Sequence, residues 1–113
     1  MKFKEVTTEK ELDEVLQGED AIIDFYKDNC MPCKMTSQGL QSIKDTVSDN
    51  ITVFQVKLEN VGEEVFLKNG VMGTPTVMHV DKGVVGQRST GFLPPQAFVA
   101  KFVKPIEAKE AQE

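Results

Sequence analysis

An α/β fold, with a central mixed β-sheet flanked by helices on both faces, is predicted by three observations on this chain. Segments of strand-like and helix-like pattern alternate in the order β-α-β-α-β-α-β-β-α, and such alternation builds a parallel sheet covered by its crossover helices. The final two strands are joined by Asp81-Lys82-Gly83, a hairpin signal that makes one edge antiparallel. The 113 residues suffice for one core and not for two. Residues 1–105 form the expected domain, and residues 106–113 a polar tail.

Phe3 to Val6 reads as a short edge strand. Thr8-Glu9-Lys10-Glu11 matches a capping box, in which the Thr hydroxyl and the Glu carboxylate satisfy free N–H groups reciprocally. Leu12, Val15 and Leu16 follow at helical spacing, and Gly18 is the stop signal. Ala21 to Tyr26 is an apolar run interrupted by Asp24, the pattern of a strand covered on both faces. From Cys33 a helix follows, with Leu40, Ile43 and Val47 as its buried stripe. Gly39 inside it costs about 1 kcal/mol relative to Ala and, with Gln38, permits a bend.

Ile51 to Leu58 is the next strand, with Lys57 near its end. Asn60 and Glu63 are the caps expected for a short helix carrying Val61, Val65, Phe66 and Leu67, and Asn69-Gly70 ends it. Thr76 to Val80 and Val84 to Arg88 are the two hairpin strands. Pro94-Pro95 suits the first turn of a last helix. Phe98, Val99, Phe102 and Val103 form its buried face, and Pro105 is expected to break it. Glu107 to Glu113 is expected to fray.

Lys and Arg number 13 against 18 Asp and Glu, a net charge of −5 with no basic cluster. That balance argues against nucleic acid or an anionic membrane as partner. No apolar run approaches the roughly 18 residues of a membrane helix, and Met1 to Glu9 lacks the apolar core of a signal peptide. A cytoplasmic setting and a monomer are expected. A secreted chain already relieved of its signal would read the same.

Both cysteines lie where the apolar strand runs into a helix, as Cys30-Met31-Pro32-Cys33. A helix N-terminus has unpaired N–H groups and a partial positive charge, so it favours a thiolate, the species that attacks disulfides. Cys33 lies one turn on, within reach of Cys30. The bare reading is a dithiol that cycles to a disulfide, with Cys30 as nucleophile and Cys33 as resolving thiol. The loop they close is too short for a stabilising cross-link to be its purpose. No metal is expected, because structural zinc wants four ligands and the chain adds only a distant His79. His79 reads as a structural histidine. Asp24 sits in a buried run, so its pKa should be raised. Met31, Met35 and Met72 are candidates for a soft apolar collar round the dithiol, and equally for core or surface filling.

The chain resembles thioredoxins from about Phe3 to about Val103. The resemblance rests on Asp24 in its strand, on Cys30-Met31-Pro32-Cys33-Lys34, on Val71-Met72-Gly73-Thr74-Pro75-Thr76, and on Gly91. It implies the thioredoxin fold and a thiol–disulfide oxidoreductase that reduces protein disulfides. It further implies that Asp24 lies behind Cys33 and helps move its proton, with Lys57 as the lysine that pairs with Asp24. By the same resemblance Pro75 is a cis-proline facing the dithiol. Thr74 before it, with Gly73, Gly91, Asn29, Met31 and Pro32, then borders the substrate strand. No bound cofactor is implied. A thioredoxin reductase drawing on NADPH would regenerate the dithiol, and disulfide-containing proteins would be the clients. Electron transport and cell redox homeostasis follow as its expected context.

Asn29 and Met31 stand where thioredoxins usually carry Trp and Gly, and the chain has no tryptophan. Neither residue between the cysteines is the His of strongly oxidising relatives, so a reducing couple is expected. Two rival readings stay open. One is a thioredoxin-like binding module whose dithiol is non-catalytic or sensing. The other is a reductant dedicated to a single client enzyme.

Overall fold

The computed structural model describes residues 1–112. Five strands form one sheet: β1 (Lys2–Val6), β2 (Ala21–Tyr26), β3 (Thr52–Lys57), β4 (Thr76–Asp81) and β5 (Val84–Thr90). Their spatial order is β1-β3-β2-β4-β5, so β1 is an edge strand. β3 pairs parallel with β1 and with β2, whereas β4 is antiparallel to β2 and β5 to β4. The mixed α/β sheet is the one the sequence predicts.

The helices are α1 (Glu9–Leu16), α2 (Met31–Ser42), α3 (Leu58–Val61), α4 (Glu63–Lys68), α5 (Pro95–Phe98) and α6 (Lys104–Ala111). A π-helical turn, Val99–Val103, joins the last two. None among the described residues is long and apolar enough to cross a membrane.

Side chains alternate across the sheet, so β2 feeds two cores. Ile23 and Phe25 pack with Leu12 of α1 and with Val65 and Phe66 of α4. The Phe25 and Phe66 rings meet edge to face at 5.2 Å. Ile22 packs on the other face with Leu40 of α2 and with Phe98, Phe102 and Val103. Each such buried side chain contributes about 1.5–3 kcal/mol. Asp24, two residues beyond Ile22, therefore points to the face covered by α2.

Several local expectations are corrected. Thr8 Oγ1 accepts from Glu11 N at 3.2 Å, but the Glu11 carboxylate reaches Thr7 N at 3.4 Å, one residue earlier than a capping box requires. α2 starts at Met31 and ends at Ser42, so Val47 lies outside it, beyond a 3₁₀ turn at Lys44–Thr46. Gly39 serves a close approach: a Cβ there would meet Pro95 Cγ at 3.0 Å. The single short helix expected after β3 is split, because Gly62 at φ +94° separates α3 from α4 and Asn60 lies inside α3.

Pro105 does not break the last helix. The π turn shifts the hydrogen-bond register just before it, with Lys104 N donating to Val99 O, and Pro105 enters α6 in its first turn. Ile106 is buried in the α2-side core, which anchors this segment. Lys109 then reaches Asp20 and Asp81, each at 3.2 Å. Residues 107–111 are thus helical where fraying is expected from Glu107 onward, and Ile106, at the start of the expected polar tail, is buried; Glu113 lies outside the described residues.

Candidate functional site

Asp28 and Asn29 form the turn that leads β2 into α2. Asn29 has φ +53°, the left-handed region that its short polar side chain tolerates better than most. Cys30 follows with extended backbone and is the N-cap of α2: its Sγ accepts from Cys33 N at 3.3 Å. A sulfur thus stands where a Ser or Asp oxygen commonly satisfies a free helix N–H. The same donor and the positive helix end favour a thiolate there once the pair is reduced. Pro32, in the first turn, removes an N–H that would have had no helical partner. Cys30 and Cys33 are joined as a disulfide with Cα atoms 5.3 Å apart.

The loop before β4 faces this pair. The Thr74–Pro75 peptide is cis. Thr74 Oγ1 lies 3.6 Å and Thr74 O 3.8 Å from Cys30 Sγ. Thr76 Oγ1 donates to Gly73 O at 2.6 Å, and Gly91 N donates to Pro75 O at 2.8 Å. Gly91 holds φ +93°, which a side chain would strain. Met31, Met72 and Phe92, on the three segments that carry Cys30, Thr74 and Gly91, are exposed, Met72 at 84%. Met35 is exposed on α2. Beside Thr74 lies a shallow pocket of about 160 Å³ lined by Phe66, Leu67, Val71 and Met72.

Asp24 lines one cleft with Cys33; it is 1% exposed, and among the described residues its Oδ1 has no hydrogen-bond partner. Burial pushes its carboxyl up to about 6; Gln55 opposes the rise and the charge of Glu5 adds to it. A raised pKa is what its place in an apolar strand implies. The structure does not bring Lys57 to Asp24. Lys57 stands opposite Tyr26 in the register, with Nζ 3.5 Å from Asp28 Oδ1, and Gln55 occupies the place opposite Asp24. Gln55 and Lys57 share one face of β3, two residues apart. The period of a strand does not tell which of the two meets Asp24; the register does.

Three residues near the dithiol carry no signal of their own in the sequence. Gln55 and Glu5 come to Asp24 only through strand register. Buried Thr36 accepts from Leu93 N at 3.0 Å, tying α2 to the loop after Gly91. His79 is engaged elsewhere, with Nε2 2.9 Å from Asp20 Oδ1. Among the described residues, no three His, Cys, Asp or Glu side chains gather as a metal set.

Chemically, this is a disulfide-forming cysteine pair at a helix N-terminus, a bordering loop with exposed apolar side chains, and a buried acid lining one cleft with the second cysteine. The family model for thioredoxin matches residues 3–104. A thioredoxin of Mycoplasma genitalium is 29% identical over 101 residues, covering 87% of this chain and 95% of the relative. One of Bacillus subtilis is 30% identical over 76 residues, covering 67% of this chain and 72% of the relative. The solved thioredoxin of Malassezia sympodialis superposes with a TM-score of 0.75 at 20% identity, covering 88% of this chain and 90% of that one, a likeness of fold.

Proposed function

Because the chain belongs to the thioredoxin family and is a thiol–disulfide oxidoreductase, we propose that it works in the reducing direction, on disulfides of protein clients. The carrying observation is Cys30 as the N-cap of α2, disulfide-bonded to Cys33 and bordered by Thr74. The pair is the redox group; members of the family carry no prosthetic cofactor.

In this reading the Cys30 thiolate attacks a client disulfide. A Cys30–client disulfide forms, and the second client sulfur leaves as a thiolate. Cys33 then loses its proton to Asp24 and attacks Cys30 Sγ. The Cys30–Cys33 bond forms, the mixed disulfide breaks, and the reduced client departs. Asp24 suits the base role because burial holds its pKa near about 6, within reach of neutral pH. Lys57, engaged with Asp28, has no part in it.

The substrate-facing residues are Asn29, Met31, Pro32, Gly73, Thr74, Pro75 and Gly91. The exposed Met31, Met72 and Phe92 favour apolar client surfaces, and thioether side chains adapt to varied shapes. Thioredoxin reductase, drawing on NADPH, is the partner that restores the dithiol, in the cytoplasm, as part of electron transport and redox homeostasis.

The redox equilibrium against glutathione or dithiothreitol, read by thiol trapping, tests the direction. A potential near or below about −250 mV supports reduction, and one near about −180 mV or above refutes it. Turnover of insulin disulfides should vanish in Cys30→Ser. Client binding that survives Cys30→Ser with Cys33→Ser, with no turnover in the unaltered protein, would make this a binding module.

A further inference from the structure

The cleft that Cys33 and Asp24 line holds two further carboxylates, Asp28 and Glu5. Register sets Glu5 on β1 opposite Gln55 on β3, and Gln55 opposite Asp24 on β2. The three side chains therefore leave the sheet in one row, on one face. All three line a cleft of about 570 Å³ that also reaches Cys33. Asp24 is its buried end, with Oδ1 unpartnered among the described residues. Glu5 is exposed, and its Oε1 accepts from the Tyr26 hydroxyl at 2.6 Å.

The charges around Asp24 are accounted for element by element. β1 brings Glu5, and β3 brings the uncharged Gln55 and, two residues on along the same face, Lys57, whose Nζ lies 3.5 Å from Asp28 Oδ1. β4 sets Val77 opposite Asp24. α2 brings Cys33 and Lys34, and the segment leaving β2 brings Lys27 and Asp28. Lys27 and Lys34 are exposed, and among the described residues no ammonium group forms an ion pair with Asp24. Tyr26 is held above the usual phenol range, first by burial and then by its bond to Glu5, so it stays a neutral donor aimed at that carboxylate.

We propose that Glu5 is a positioning residue for the resolving step: its carboxylate, fixed by Tyr26 at the mouth of the cleft, controls the proton that Asp24 exchanges with the Cys33 thiol. The inference rests on the disulfide-reduction reading above. In that step the Cys33 S–H proton passes to the Asp24 carboxylate. The Cys33 sulfur attacks Cys30 Sγ, and the Cys30–client bond breaks. The client sulfur leaves with the electron pair and takes a proton from solvent; Asp24 returns its own to solvent. A negative charge at Glu5 favours the protonated form of Asp24, the same direction in which burial drives it. With Glu5 ionised, Asp24 is a base over a narrower, more alkaline range.

The test is stopped-flow reaction of the reduced protein with a dithiobis-nitrobenzoate probe. Attack by Cys30 releases the first chromophoric thiol, and attack by Cys33 releases the second. Glu5→Gln keeps an acceptor for Tyr26 and removes the charge. It should move the acid midpoint of the second release down by about half a pH unit, the size of a like-charge effect in a partly hydrated cleft. At pH 5 the ionised fraction of Asp24, and with it the second release, rises about threefold. In an Asp24→Asn background, Glu5→Gln should change nothing, whereas a merely structural role would show in both backgrounds. Tyr26→Phe, which frees Glu5 without altering charge, should shift the midpoint in the same direction by less. An unmoved midpoint in Glu5→Gln, or a shift that persists with Asp24→Asn, overturns the assignment. Absence of any second release in the unaltered protein overturns the disulfide-reduction reading and this inference together.

Discussion

Thr74 Oγ1 stands 3.6 Å from Cys30 Sγ, and Cys33 N donates to the same sulfur at 3.3 Å. The nucleophile is thus flanked by a backbone donor from its own helix and a hydroxyl from the loop before β4. A sulfur ionised between two donors is stabilised as thiolate.

Thr74→Val removes the hydroxyl and keeps the shape. A hydrogen bond of this length to sulfur is at the weak end of the range, so the Cys30 pKa should rise by about half a unit. Thiolate at a pH below that pKa falls about threefold, but a more basic thiolate is also more nucleophilic, and attack on a disulfide should slow only about twofold. Thr74→Ser should behave as the unaltered protein. Thiolate absorbance near 240 nm against pH gives the first number and stopped-flow attack the second. Identical titrations of the Val and Thr forms would remove Thr74 from this role.

Asp24 couples stability to pH. Its folded pKa, about 6, exceeds the ordinary carboxyl value of 3.8. The folded state therefore holds this proton more tightly than the unfolded chain does. The associated stability is fully present below about 3.8 and is lost as pH rises through about 6. A rise of that size corresponds to about 3 kcal/mol for a group as buried as this one. Asp24→Asn avoids the buried charge at pH 8 and should be the more stable protein there by about 2 kcal/mol, less than the full amount because its amide must find a partner. At pH 4 the two should unfold together. Guanidinium titrations of the oxidised proteins at pH 4, 6 and 8 read the difference. A gap that stays constant across that range contradicts the raised pKa.

Much of the fold is legible in the sequence because its signals are local. The apolar run Ala21 to Tyr26, the Asp81-Lys82-Gly83 hairpin and the helical spacing of Leu12, Val15 and Leu16 each follow from a few neighbouring residues. The dithiol at a strand–helix junction is legible for the same reason. What escapes is set by contacts distant in sequence. Pro105 reads as a stop, yet a π turn and burial of Ile106 carry the helix through it. Gly39 reads as a weak point, yet it is where Pro95 packs. Lys57 and Gln55 point the same way from one strand, and only pairing with β2 decides which meets Asp24.

That register has a kinetic consequence. Lys57 is bound to Asp28 across 3.5 Å, with both side chains partly exposed. Such a pair is worth about 0–1 kcal/mol. Lys57→Met should therefore cost less than about 1 kcal/mol of stability and leave the acid limb of the resolving step where it was. Gln55→Lys would put a cation opposite Asp24 and should move that limb to lower pH. The pH dependence of the second thiol release in both variants decides the matter. A limb displaced by Lys57→Met and not by Gln55→Lys would return Lys57 to the mechanism.

Gly86 is the residue whose replacement is expected to be felt most for its size. It lies on exposed β5, where Gly→Ala would ordinarily help a strand. A Cβ at Gly86, however, would sit 2.6 Å from His79 Nδ1. The His79 ring has little freedom to retreat, because Nε2 is held 2.9 Å from Asp20 Oδ1, and Asp20 is itself tied to Lys109 of α6 at 3.2 Å. β4 also carries a register irregularity between Met78 and Val80, which flank the histidine. Gly86→Ala must push the ring aside or open β5, at a cost of about 1–3 kcal/mol. In a His79→Ala background the obstacle is gone, and the same change should be neutral or slightly stabilising. Denaturant midpoints of the four proteins close the cycle. An equal penalty with and without His79 would place the strain in the β5 backbone and acquit the ring.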